Sequence, residues 1–413
     1  MPTSRLARHS KMNAAGAVAA TIACAFALAA CSSGGGGTTS SGSAGASGGA
    51  PYVVGATEDL SGPLASYGAN VQQAFNAAFN AANAKGGVDG HKVNFVIKDD
   101  QSVLTTALSN TRALLSQHVV VTTGSTLSDF CSGIEPVVTA AQTPEICTNV
   151  DPKSMKPVQP YLFDMNPPEA LTVQPILQFG QKESGVAKPR LGIMVAGAGG
   201  SIDFGNAAQS YAKAHGWTVS DYETTSATTV TLPTGQVAKL AASNPDIVIV
   251  EEIPSNTTTL VTDLRQDGYK GPIVAQNPDF PGLAQTKDPM FFMADANQYV
   301  APNATQSGAA QYVSEMKAAH VTSASDLNNG QLVLDWVRAQ DILAALKKCG
   351  GSCTGATMQK ALESTTISLP GVVDNYGYSA ANHVPVTTVY IYGWDASTSA
   401  PKLEEPAAPM GSL

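Results

Sequence analysis

Residues 52–102 read YVVGATEDLSGPLASYGANVQQAFNAAFNAANAKGGVDGHKVNFVIKDDQS, and this stretch sets the architecture. Residues 52–56 are a short apolar run with the character of a buried strand. Over 65–84, Val71, Phe75, Ala78, Phe79 and Ala82 recur at helical spacing. Gly86-Gly87 ends that helix, since glycine is the usual residue just past a helix terminus. A second strand follows at 93–98. The alternation continues with a helix over 105–117, a strand over 119–123, a helix over 128–141 and a strand edge at 145–147. A proline-rich crossing comes next (Pro152, Pro157, Pro160, Pro167, Pro168). The pattern then restarts, with helices over 172–183, 204–215, 236–242 and 256–267 and strands over 190–195, 218–223, 247–250 and 273–275. Strands alternating with helices of this length mean βαβ units and parallel sheets. Two such blocks mean an α/β protein of two doubly wound parallel-sheet lobes.

Further helices are expected over 304–319, 331–347 and 357–364. The end is β-rich, at 372–376 and 387–394, and 401–413 reads as a frayed tail. Hydrophobic residues make up 43% of the 413, enough for a large core, while charged residues are only 13%.

The N-terminus has its own character. Arg5, Arg8 and Lys11 precede an apolar run over 14–27, and Leu28-Ala29-Ala30-Cys31 closes it. A cationic start, a short apolar region and small residues form a secretory signal. The run is too short to span a bilayer, which takes about 20 apolar residues. The cysteine after the small residues resembles the lipobox of bacterial lipoproteins. That resemblance implies removal of 1–30 and lipidation of Cys31, placing the protein on the outer face of the cell membrane. Residues 32–50 contain only Ser, Gly, Thr and Ala. Such a segment buries too little surface to fold and reads as a tether with an r.m.s. span of about 25 Å. Loss of the three signal cations takes the net charge from −9 to −12. An acidic body has no electrostatic footprint for nucleic acid.

Six cysteines are present. Cys24 leaves with the signal and Cys31 takes the lipid. Cys131, Cys147, Cys349 and Cys353 form an even set in an exported chain, which suggests disulfides. Local pairing, Cys131 with Cys147 and Cys349 with Cys353, is the preferred assignment among three possible connectivities. Their spacing does not suit zinc, so no metal is expected, and no cofactor.

In open α/β sheets ligands bind beyond the carboxyl ends of the strands. After the first strand come Ser61-Gly62-Pro63 and Tyr67-Gly68, the next helix ends in Asn83-Ala84-Lys85-Gly86-Gly87, and the second and third strands end at Asp99-Asp100 and Ser125-Thr126. In this order they resemble the type I solute-binding proteins of ABC transporters, in the branched-chain amino-acid (leucine/isoleucine/valine) binding branch. The resemblance implies the type I periplasmic binding protein fold, with three hinge crossings near Asp164, Asp295 and Leu369. Lobe one would be 51–164 with 296–368, and lobe two 165–295 with 369–400. It implies no catalysis, and capture of a small solute between closing lobes for delivery to ABC permease subunits, by a monomer. An aliphatic or branched-chain amino acid is the first expectation. A non-amino-acid amide or carboxylate, or service to a membrane receptor as a sensor, are the alternatives. Ser125 and Thr126 match the family's α-carboxylate contact, where free backbone N–H groups and hydroxyls suit an anion. Thr148 and Asn149 match the second contact segment of lobe one. Tyr67 matches an aromatic wall. Phe204 stands where the family often has tyrosine, and Asp279 is the candidate partner for a ligand ammonium. Asp99 and Asp100 read as structural acids, one of them orienting the neighbouring loop by accepting backbone hydrogen bonds.

Two enzyme readings compete. Gly197-Ala198-Gly199-Gly200-Ser201-Ile202 imitates a dinucleotide fingerprint, but Ile202 occupies its third glycine position. Glu251 and Glu252 could suggest a glycosidase, yet successive strand residues point to opposite faces.

Overall fold

The structure is a computed structural model that describes residues 48–411 apart from 125–126, 149–154, 227–228, 230 and 277–279. Cys31, the signal segment 1–30 and the tether up to residue 47 lie outside the described residues. The chain begins with β1 (Tyr52–Glu58), α1 (Ala65–Ala84), β2 (Val93–Asp99), α2 (Leu104–Leu115), β3 (Val121–Gly124), α3 (Ser128–Ala141), β4 (Glu145–Cys147) and β5 (Leu162–Asp164). It continues with α4 (Glu169–Ser184), β6 (Arg190–Val195), α5 (Gly199–His215), β7 (Thr218–Thr224), α6 (Thr234–Ala242), β8 (Ile247–Glu251), α7 (Pro254–Gln266), β9 (Ile273–Gln276), α8 (Phe280–Thr286) and β10 (Phe291–Asp295). Last come α9 (Ser307–Ala318), α10 (Ala324–Leu327), α11 (Gly330–Cys349), α12 (Gly355–Leu362), β11 (Thr366–Leu369), β12 (Val373–Gly377), β13 (Thr388–Asp395) and β14 (Ala400–Pro409).

The first sheet is parallel with order β2-β1-β3-β4-β5. The second runs β14-β13-β10-β9-β8-β6-β7. Its five strands from β7 to β10 are parallel and repeat the same order, 2-1-3-4-5. β13 and β14 then extend its edge antiparallel. The two α/β lobes therefore share one winding, and each sheet reverses its strand order between its first and third strands.

Strand alternation divides the cores. Ile247 and Ile249 of β8 join the cluster beneath α4 and α5. Val248 and Val250 point the other way, toward Leu260 and Leu264 of α7. In lobe one, α1 buries Val71, Phe75 and Phe79 with Trp336, Val337 and Ile342 of α11. Phe75 stacks on Phe95 with centroids 4.9 Å apart. Burying a phenylalanine of this kind contributes about 2–3 kcal/mol.

Two boundaries differ from expectation. The third crossing does not lie near Leu369. β11 and β12 pair with each other, and Val373, Tyr376, Tyr378 and Val386 sit in the lobe-one core. Val389 and Ile391 belong to lobe two, so the chain crosses between Val386 and Val389. Residues 400–409 are also no frayed tail. They pair antiparallel with β13, and Leu403 and Glu405 sit opposite Tyr392 and Ile391. Proline tolerates this place because an edge strand leaves every second N–H unbonded. The structure links Cys131 to Cys147 and Cys349 to Cys353, with Cα atoms 6.1 and 5.2 Å apart.

Candidate functional site

The turn between β1 and α1 is built on carboxylates. Asp59 accepts the backbone N–H groups of Ser61, Gly62 and Leu64 and the Ser102 hydroxyl, the last two at 2.8 and 2.6 Å. Asp99 accepts the Leu60 and Gln101 amides at 2.9 and 3.0 Å. Asp100 accepts from Ser102 N–H and the Thr57 hydroxyl. Burial raises the Asp100 carboxyl. At Asp99 the burial penalty is outweighed by the hydrogen bonds of Ser61, Leu60 and Gln101 together, and its carboxyl is lowered. Both acids hold the loop, where the sequence reading assigned that role to one of them. Gly68 completes the turn, because a Cβ there would meet the Asp59 carbonyl oxygen at 2.1 Å.

This rigid turn forms one wall of a cavity of about 260 Å³ that both lobes line. Leu64 and Tyr67 come from lobe one, with Asn329 and Gln331 from the head of α11. Ile253 and Pro254 come from lobe two, just after β8. The walls are thus the loops after β1 and β8, each beside the reversal of strand order in its sheet, which is where open α/β sheets bind ligands. None of the described lining residues is charged.

The structure puts Tyr67 on this wall. Thr148 follows β4, where its N–H donates to the Gly124 carbonyl at 2.8 Å. Its side chain is buried, and its Oγ1 accepts from Arg338 Nη1 at 3.3 Å. Phe204 is corrected. It is fully buried in the lobe-two core among Ile193, Val195 and Ala208, so its ring does not face the cleft. α5 turns that face inward because Phe204, Ala208 and Ala212 form its apolar stripe. Ser125, Thr126, Asn149 and Asp279 lie outside the described residues.

Sequence reading missed a polar group inside lobe one. Asp335 and Arg338 of α11 form an ion pair at 2.7 Å with both side chains fully buried. The guanidinium also lies 5.2 Å from the Phe75 ring centre and reaches the Ile146 carbonyl at 3.5 Å. Gln331, on the cavity wall, donates to Asp335 at 3.5 Å. Burial raises the Asp335 carboxyl to about 7 despite its guanidinium neighbour. The available signal was the placement of three charges, Asp335, Arg338 and Asp341, on a helix otherwise apolar on most sides.

Lobe two carries acids at the end of β8. Burial, with the Glu169 charge added, raises Glu251 to about 8. A Cβ on Gly200 would come within 2.4 Å of a Glu169 carboxylate oxygen. The chain's own carboxylate therefore occupies the first turn of α5, where a dinucleotide fingerprint would seat a pyrophosphate. Glu252 turns elsewhere, to the Thr225 hydroxyl and the Asn256 amide. The two glutamates face different partners and do not form a pair across a substrate.

The crossings are tied to lobe one. The Tyr378 and Tyr376 hydroxyls donate to the Asp164 and Met165 carbonyls at 2.8 and 3.2 Å. Asp164 N–H donates to the His383 carbonyl at 3.0 Å. Asp295, at the second crossing, accepts from the Asn297 N–H at 3.2 Å, and burial raises its carboxyl to about 7.

A family model described as periplasmic binding protein matches residues 51–399. No curated protein matches the chain. Among solved structures, a branched-chain amino-acid ABC transporter protein from Thermus thermophilus with bound valine is 14% identical. The match has a TM-score of 0.77 and covers 89% of this chain and 98% of that one. A solute-binding protein from R. palustris in complex with 4-hydroxybenzoate is 17% identical, with a TM-score of 0.72 and coverage of 87% and 96%. A fatty-acid ABC transporter substrate-binding protein from Thermomonospora curvata is 19% identical, with a TM-score of 0.73 and coverage of 87% and 92%.

Proposed function

The chain belongs to the periplasmic binding protein family, and on that premise we propose that it is the extracytoplasmic solute-binding component of an ABC importer. The observation that carries this reading is the cavity walled by the loops after β1 and β8, one from each lobe. A solute seated there touches both lobes, so its binding energy draws them together. The three ligands named for the similar structures, valine, 4-hydroxybenzoate and a fatty acid, share a carboxylate. A small solute bearing a carboxylate is therefore the class proposed, with an aliphatic or branched-chain amino acid first. Tyr67 packs against the solute. Ser125, Thr126, Thr148 and Asn149 hold its carboxylate, and Asp279 takes an ammonium where there is one. The neutral lining of the cavity suits the apolar remainder. Cys31 carries the lipid, and the protein works as a monomer tethered outside the membrane with permease subunits as its partners.

The test is a thermal-shift screen of the mature domain after unfolding, dialysis and refolding, against amino acids, small carboxylates, amides and sugars. A ligand at a hundred times its Kd adds about 2.7 kcal/mol to stability. A rise with valine, leucine or isoleucine supports the amino-acid reading. A rise with other carboxylates alone replaces the solute and removes Asp279 from the site. A panel that moves nothing overturns solute capture.

A further inference from the structure

The amino end of the lobe-one sheet, the end opposite the cleft, collects cations. α1 and α2 each run back from the carboxyl end of one parallel strand to the start of the next, so their last turns share that end. The heads of α1 and α11 meet at the cleft cavity through Tyr67 and Gln331. Their tails meet at a groove of about 450 Å³ lined by Ala82, Val88, Leu343 and Lys347. Residues 83–92, 112–118 and 347–353 form this base. They hold five cations, Lys85, Lys92, Arg112, Lys347 and Lys348, and one acid, Asp89, in a chain of net charge −9. All five cations are exposed. The helix dipole favours a cation at a helix tail, but it does not account for the missing acids. In lobe two, Arg190, Lys239 and Arg265 are matched by Asp246, Asp221 and Asp288. Among the described residues none of the five in lobe one has such an ion pair. Lys92 and Lys348 donate instead to the Asn83 and Ser364 carbonyls, which leaves their charge unneutralised. At the cleft end of β1 and β2 stand Asp59, Asp99 and Asp100, so the lobe is basic at one end and acidic at the other. The chain also enters at the basic end. His91 Nδ1 meets the Ala50 carbonyl at 2.7 Å, and a Cβ on Gly49 would collide with the His91 ring. β1 then carries the chain over seven residues, about 23 Å, before it reaches the cleft.

We infer that the base of lobe one is a membrane-apposed surface that takes the anionic headgroups of a phospholipid bilayer. Unmatched cations spread over the ends of several elements suit many phosphates in one plane better than a single anion. They lie on the face where the segment leading from Cys31 enters. Each cation held near an anionic surface strengthens binding about fivefold. Attraction at the base and repulsion of the acidic loops at the cleft turn the cavity away from the bilayer, toward arriving solute. That orientation rests on the anchored reading above, while the headgroup contact stands on the charges alone.

The experiment uses the mature chain from residue 31 with Cys31→Ser, which carries no lipid, so the headgroup contact is read apart from the anchor. This parent chain is sedimented with vesicles of phosphatidylglycerol and with vesicles of phosphatidylcholine over a range of salt. Binding is expected to the anionic vesicles alone and falls as salt rises. Lys347→Glu with Lys348→Glu, and Lys85→Glu with Lys92→Glu, should each weaken it by at least about tenfold. Lys188→Glu with Lys270→Glu makes the same change of charge on lobe two and should alter it little. Equal loss in all three pairs makes the contact a matter of net charge and overturns the inference. So does a parent chain that leaves the anionic vesicles unbound or binds both lipids alike. Release by inorganic phosphate beyond that by chloride at equal ionic strength makes the base a free-anion site and likewise overturns it. Should one lysine pair not fold, the other decides. Silent vesicles leave solute capture standing, because the thermal-shift screen reads that separately, and leave lipid attachment to the fractionation of the Cys31→Ser protein.

Discussion

Asp295 shows how one side chain at a crossing ties stability to pH. Its carboxyl is nearly excluded from solvent, and burial raises it from 3.8 to about 7. The native protein therefore keeps a proton that the unfolded chain releases near 3.8. The stability this provides is complete below that value and is lost as pH climbs through about 7. Asp335 and Glu251, raised to about 7 and about 8, slope the same way. The urea midpoint is expected to fall between pH 5 and pH 8. Asp295→Asn should flatten part of that fall and stabilise the protein at pH 8 by at least about 1.4 kcal/mol, the worth of one pKa unit. An unchanged slope would remove Asp295 as a source. Little of this was legible beforehand. Asp295 was readable as a crossing residue, whereas Asp335, Arg338 and Asp341 looked like ordinary charges on a helix. A helix that is buried almost all round is recognised only once its neighbours are placed. Phe204 failed for the related reason that its helix shows one apolar stripe whether that stripe faces a core or a cleft.

At the scale of elements, the Cys131–Cys147 bridge joins the first turn of α3 to the end of β4, one residue before Thr148. It closes 16 residues, whereas Cys349–Cys353 closes 4. Loop-closure entropy makes the first worth about 3 kcal/mol and the second about 2. Replacing each pair by serines and comparing urea unfolding checks this, and a larger loss at 349 and 353 would refute the loop account. Helices and parallel strands were the legible elements: α1 and α3 run where apolar spacing puts them. β5 hid behind Pro157 and Pro160, and β14 behind Pro401, Pro406 and Pro409. Proline argues against a central strand but not against an edge, and composition does not say which strand will be the edge. The third crossing was misplaced because the β11–β12 hairpin resembles the β-rich segment of lobe two in sequence and is assigned only by its contacts with α9 and α11.

For the whole molecule, two windings of the same order set one turn against another across a shared cavity. The doubly wound pattern was legible because each lobe needs buried strands covered by amphipathic helices, and that need is written at short range. The cavity was legible only in part, through Tyr67, because the partners Ile253, Pro254, Asn329 and Gln331 lie far away in the chain. The proposed anchor belongs to this scale too. Cys31→Ser should move the protein from the membrane fraction to the soluble fraction, and retention in the membrane would defeat lipid attachment through Cys31.

The three crossings also order events in time. Lobe one receives Tyr376 and Tyr378, and lobe two receives β13 and β14, only from residues beyond 375, long after their partner strands β1 and β6. Neither core can close until these residues have been made. Contacts between such distant partners form slowly. A nascent chain arranged in this way stays open while it lengthens, which is the condition a polypeptide must keep if it is to be threaded through a narrow membrane pore.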